Sequence, residues 1–355
     1  LSIDELNPAP AHRDGGLDSM PHEIASPVRA PNPASTRASA SAPDGTQEFP
    51  RLVAIETTNA CNAKCAFCPN SVMSRDRQIM SDEIFRKIVD DCTTFKLHAI
   101  EPFLNGEPFM DPQIVPRLQY IRERLPQTKL RLYTNGFGLT DKRVDALLDL
   151  GIDHLFVSLN TLDADKYEAT MGLRLERTLR NIDYAVDPSR RKRLAHEITV
   201  RMTRTEETTA DDEKRFAAYC KGKNVNCMIV GLFNYLGDVR SPLPAPNFPC
   251  EHLTRVDVLS NGRVTLCCMD AEGDFGWGDV TKESVLDVYN GQRARTYRQA
   301  HRTGKRRQIP PCGTCNLFWP SFDGVSMPRR IQFGLAYAWY HMRYWPYTKH
   351  KARRP

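Results

Sequence analysis

The chain has 355 residues, 41% of them hydrophobic and 26% charged, with a formal net charge of +6. This is ample chain to bury a core, and no apolar run approaches the roughly 18 residues that would span a bilayer. The excess positive charge sits in separate clusters, at 190–193, 305–307 and 349–354, which read as solvated faces rather than a nucleic-acid footprint.

Residues 1–48 are rich in Pro, Ala, Ser and Asp and show no apolar periodicity, so this segment is expected to be disordered. It also lacks the apolar core of a secretory signal. The 11 cysteines then belong to a reducing, cytoplasmic setting, where clustered thiols read as metal ligands rather than disulfide pairs. From residue 49 to about 240, short β-branched or apolar runs alternate with helical patterns. Strands are predicted at 51–57, 98–104, 129–134, 154–159, 198–203 and 226–231, and helices at 81–94, 113–124, 141–150, 175–186 and 211–221. Six such repeats predict an α/β fold, a parallel sheet curled into a partial (β/α)6 TIM-like barrel with its chemistry at the C-terminal strand ends. A proline-rich linker and a small domain follow at 241–325, with an Asn261-Gly262 hairpin turn between 255–259 and 263–267 and a helix at 284–302. Residues 326–355 form an aromatic and basic tail, expected to be helical.

Directly after the first strand, Cys61, Cys65 and Cys68 form a C-x3-C-x2-C trio. Three thiolates hold three irons of a cubane and leave the fourth open to a ligand, whereas structural zinc wants four. This spacing, with Phe67 before the last cysteine, resembles the radical S-adenosylmethionine (SAM) superfamily. The resemblance implies a catalytic [4Fe–4S] cluster that binds SAM, its reductive cleavage to a 5′-deoxyadenosyl radical, and abstraction of a hydrogen atom from a C–H bond. It further implies that Asn105-Gly106-Glu107-Pro108 stands for the family's Gly-Gly-Glu-Pro motif, with Glu107 on the SAM ammonium; Asn105 departs from the usual glycine. Thr134-Asn135-Gly136 ends the third strand as in many members. Ser158 matches a ribose-contacting position, Arg201 is placed for the SAM carboxylate, and Phe67 for the adenine. A flavodoxin or ferredoxin-type electron donor is implied as well.

Cys250, Gly262 with Cys267, and Cys312-Gly-Thr-Cys315 resemble the SPASM and Twitch auxiliary-cluster domains. With no cysteine after Cys315, one auxiliary [4Fe–4S] cluster is expected, on Cys250, Cys267, Cys312 and Cys315; four cysteines also suit zinc, as in a scaffold protein, and Cys268 competes with Cys267 for the site. Cys92, Cys220 and Cys227 are expected in the core.

A core of this kind with a single auxiliary cluster resembles enzymes that oxidise or epimerise carbohydrates and aminocyclitols, and also maturases of ribosomal peptides. The low-complexity segment before the barrel speaks against a fused leader-binding domain, which favours a small polar substrate. Cys268, if it points to the barrel mouth, would be the hydrogen donor of an epimerase; dehydrogenation stays open beside it. The tail is expected either to pack on the core or to touch a membrane surface.

Overall fold

The computed structural model describes residues 47–187, 189, 197–344 and 347–350. The expectation of disorder for 1–46 and the basic cluster at 190–193 lie outside the described residues. Glu48, placed in the disordered segment by composition, is ordered: its carboxylate bridges Arg298 and Arg302 at 2.7 Å each.

Six strands follow one another in parallel: β1 (Leu52–Ile55), β2 (Ala99–Glu101), β3 (Lys129–Thr134), β4 (His154–Ser158), β5 (Ile198–Thr203) and β6 (Asn226–Val230). The connecting helices are α1 (Asp82–Asp91), α2 (Ile114–Arg124), α3 (Asp141–Asp149), α4 (Ala164–Met171), α5 (Leu175–Val186) and α6 (Ala210–Gly222). Local chemistry explains their starts. The Ser81 hydroxyl accepts the Ile84 N–H at the head of α1, and Thr209 and Asp212 form a reciprocal capping box on α6. Each helix buries one stripe, as α1 does with Phe85, Ile88 and Val89. The predicted strands recur, most of them trimmed by a few residues. The short α4 was not anticipated, because its stripe is only Tyr167 and Met171.

The sheet is open and continues beyond the six repeats. β7 (Arg255–Val258) pairs in parallel with β1, and β8 (Arg263–Thr265) and β9 (Gly278–Asp279) extend that edge. The small C-terminal region is therefore joined to the barrel through its sheet. The helix expected over 284–302 is divided: Gly291, with ψ 151°, separates α7 (Val285–Asn290) from α8 (Gln292–Arg302). A short α9 (Pro310–Thr314) carries the last cysteine pair, and α10 (Met327–Tyr344) follows.

The tail departs from a single helix. Residues Tyr347–His350 form β10, antiparallel to β6. β10 covers what would be a bare strand edge, and bare edges recruit other chains. Removing residues 345–355 is expected to promote aggregation, measured as light scattering against temperature, while iron content stays at the full-length value.

Candidate active site and auxiliary cysteine site

Strand alternation sends Leu130 and Leu132 into the helix-facing core and leaves Arg131 and Tyr133 on the other face of β3. There a ladder of rings crosses the strands: His154 stacks on Phe156 (3.7 Å), Phe156 on Tyr133 (4.1 Å) and Tyr133 on Phe103 (5.2 Å). Above the strand ends lies a cavity of about 240 Å³. Its walls include Cys61, Cys65, Cys68, Phe67, Asn105, Gly106, Glu107, Ser158 and Arg201, so eight strand-end and loop positions singled out from sequence, with Phe67, meet in one place. Pro108 is buried, opens the 3-10 turn Pro108–Met110 and does not line the cavity.

The cysteine loop is held from several sides. The Glu107 N–H donates to Ala60 O at 2.9 Å, and a Cβ on Gly106 would sit 2.2 Å from Thr58 O, so only glycine permits this approach. Asn105 explains its own departure from glycine: its amide donates to Glu56 Oε1 at 3.0 Å. Glu56 is fully buried, paired with both terminal nitrogens of Arg75 (2.8 and 3.0 Å), and accepts the Ser260 N–H at 2.9 Å. Thr134 and Asn135 in turn hold Glu107: the Thr134 hydroxyl and the Asn135 N–H each donate to its carboxylate at 2.7 Å. Burial pushes the Glu107 carboxyl up to about 7 despite these bonds. A cation beside it would relieve that cost.

The donor set suits a cluster with SAM. Burial raises the Cys61 thiol to about 11, and lifts Cys65 and Cys68 likewise, so only a bound metal would make three thiolates favourable here. Arg201 sits opposite Ser158 in the β4–β5 register, and its Nε is buried without a hydrogen-bond partner. A half-buried arginine with a buried N–H left unpartnered beside a cavity fits an incoming carboxylate.

Cys250, Cys267, Cys312 and Cys315 line a second, small buried cavity. Burial lifts their thiols too, Cys250 to about 12. Arg306, 2% exposed, donates to the carbonyls of Phe248, Cys315 and Leu317 at 2.9–3.1 Å and has no carboxylate partner among the described residues. A four-thiolate cluster, which is anionic, would balance that charge; the fit holds for iron–sulfur, whereas neutral packing would not need the arginine. Cys268 faces the other way and lines the large cavity. The reason is not strand alternation, since β8 ends at Thr265 and both cysteines lie in the following turn. Its Sγ is 3.3 Å from His252 Nδ1, and His252 stacks on Trp319. Cys92, Cys220 and Cys227 are buried in the core.

Sequence reading missed the wall facing the cysteine loop. Glu101 lies between Arg131 and Arg255, 3.4 Å from each, and Arg255 also pairs with Asp257 at 2.6 Å. The signal was present in β7, where Arg255 and Asp257 alternate with two valines, but that pattern usually marks a solvent face.

Residues 55–213 match the family model for the radical SAM superfamily, and residues 250–316 match an iron–sulfur cluster-binding domain, SPASM. The chain belongs to the radical SAM superfamily. The two domains imply SAM, a [4Fe–4S] cluster and auxiliary iron–sulfur binding in this radical SAM protein. Among curated proteins it is similar to the S-adenosyl-L-methionine-dependent 2-deoxy-scyllo-inosamine dehydrogenase of Niallia circulans, 21% identical over 75% of this chain and 92% of the relative. It spans only 33% and 46% of two others. Among solved structures, BtrN in complex with AdoMet and 2-DOIA superposes with a TM-score of 0.57 at 19% identity, covering 78% of this chain and 97% of that one. Streptococcus suis SuiB bound to precursor peptide SuiA gives 0.60 at 14% identity, with 78% and 73% covered. Both share the radical SAM barrel fold.

Two outcomes test this geometry. Glu56→Ala strands Arg75 and frees the hairpin turn, and is expected to cost about 3–5 kcal/mol in urea unfolding, with iron lost from the first site. Arg306→Met should lower iron from about eight to about four per chain, read by iron assay after anaerobic reconstitution.

Proposed function

We propose that this radical SAM enzyme abstracts a hydrogen atom from a carbinol carbon of a small polyhydroxylated substrate, a carbohydrate or aminocyclitol, as an oxidoreductase or epimerase. One observation carries the reading: a single cavity joins the Cys61, Cys65 and Cys68 loop to a wall of Glu101, Tyr133, His252, Arg255 and Trp319. Such a wall offers donors, acceptors and ring faces to hydroxyl groups and sugar C–H surfaces. The similarity to a dehydrogenase of an aminocyclitol points the same way.

In this reading Cys61, Cys65 and Cys68 hold the catalytic [4Fe–4S] cluster, and Cys250, Cys267, Cys312 and Cys315 the auxiliary one. Bound there, cluster and SAM supply a carbon radical able to take a hydrogen atom from an unactivated C–H bond. Glu107 pairs with the SAM ammonium, Arg201 with its carboxylate, Ser158 with the ribose, and Phe67 packs on the adenine. Glu101 and Arg255 orient the substrate hydroxyls, and the rings of Phe103 and Tyr133 that line the cavity keep water from the reacting carbon. A ferredoxin or flavodoxin-type donor supplies electrons.

The position of Cys268 favours epimerisation as a second reading. Its thiol opens onto the substrate cavity and stands one peptide bond from Cys267. Cys268 gives its hydrogen atom to the substrate carbon, and one electron and one proton from the donor system restore the thiol.

Cys65→Ala is expected to abolish 5′-deoxyadenosine formation under dithionite; persistence of that product overturns the catalytic-cluster assignment. With substrate and D2O, epimerisation predicts one deuterium in the product of the native enzyme. Cys268→Ala should keep its iron and its 5′-deoxyadenosine while losing the label. An oxidised product without deuterium selects dehydrogenation instead.

A further inference from the structure

Five of the nine exposed large hydrophobic side chains among the described residues lie on one helix. They are Met327, Ile331, Leu335, Trp339 and Met342 of α10, each 57% to 75% exposed. At 100° per residue they fall within an arc of about 120° along a helix about 27 Å long. The opposite face has its own partners. Phe333 and Tyr340 are buried, the Tyr340 hydroxyl donates to Pro244 O at 2.9 Å, and Tyr337 and Tyr340 flank the ring of Phe248. Packing of α10 on the protein therefore accounts for one face and leaves an apolar stripe open to solvent.

Charge identifies what covers it. Residues 327–355 contain seven Lys or Arg and no Asp or Glu. On the helical wheel Arg343 borders one side of the stripe, and Arg330 and His341 the other. We infer that the exposed face of α10 docks this enzyme on an anionic lipid surface, with Ile331, Leu335 and Trp339 seated at the headgroup level and the flanking arginines on lipid phosphates. Apolar area and electrostatic attraction act together in such an interfacial helix, and neither needs the helix to span the bilayer. A second copy of the chain is the poorer occupant: it would bring two acid-free, strongly basic segments against each other.

The test is flotation of the reconstituted full-length enzyme with vesicles. Native protein should float with vesicles of phosphatidylcholine containing about one-third phosphatidylglycerol, stay behind with phosphatidylcholine alone, and be released by salt. Ile331→Glu with Leu335→Glu should weaken binding at least about tenfold, with unchanged iron content and circular dichroism. Because that pair of changes could disturb packing, Arg343→Gln with Arg330→Gln serves as a second variant, expected to lower binding while leaving the apolar stripe intact. The inference is overturned if native enzyme ignores anionic vesicles, or if both variants float as the native does. It is equally overturned if light scattering shows a dimer that the glutamates convert to monomer, since self-association would then own the face.

Discussion

The buried carboxylate of Glu56 is the interaction on which the arrangement of the active site turns. It stands at the end of the first barrel strand and has three kinds of partner: the Arg75 guanidinium beyond the cysteine loop, the Asn105 amide at the end of the second strand, and the Ser260 N–H in the C-terminal hairpin turn. A charge taken wholly out of water is tolerated only when such bonds are complete. Satisfying it therefore fixes three segments distant in sequence against one another. The cysteine loop is closed from the far side by the same logic, with Asn59 accepting the Gln78 N–H and donating to Asp76 O.

Two cysteine sites share a wall. His252 borders both cavities, and the Cys267-Cys268 dipeptide sends one thiol to each. A group bound by Cys267 would be within a few covalent bonds of the substrate space. This compact layout comes from the pairing of β7 with β1, which brings His252, Arg255 and Cys268 of the small domain into the wall of the barrel cavity.

The barrel was legible because its strands are short and β-branched and its helices carry one apolar stripe each. The cysteine spacings and the strand-end motifs were legible because ligand chemistry needs particular residues close together in sequence. What escaped notice were charges whose partners are remote. Glu56 and Ser260 are 204 residues apart, and nothing local marks their bond. Arg255 and Asp257 alternate with valines, and alternation reports polarity, not which polar face is enclosed. The direction of Cys268 had no local signal, because a turn, not strand pleating, separates it from Cys267.

The β1–β7 pairing also has a consequence for biosynthesis. Leu52 lies opposite Arg255, so the first strand leaves the ribosome about 200 residues before its neighbour. At roughly 5–20 residues per second, that interval lasts on the order of 10–40 seconds. Throughout it, one edge of β1 has no partner, and Glu56 lacks the amide that Ser260 will bring. The nascent barrel must therefore wait, exposed along that edge, until β7 and the Ser260 turn have emerged, and metal can be locked into a finished cysteine loop only after that point.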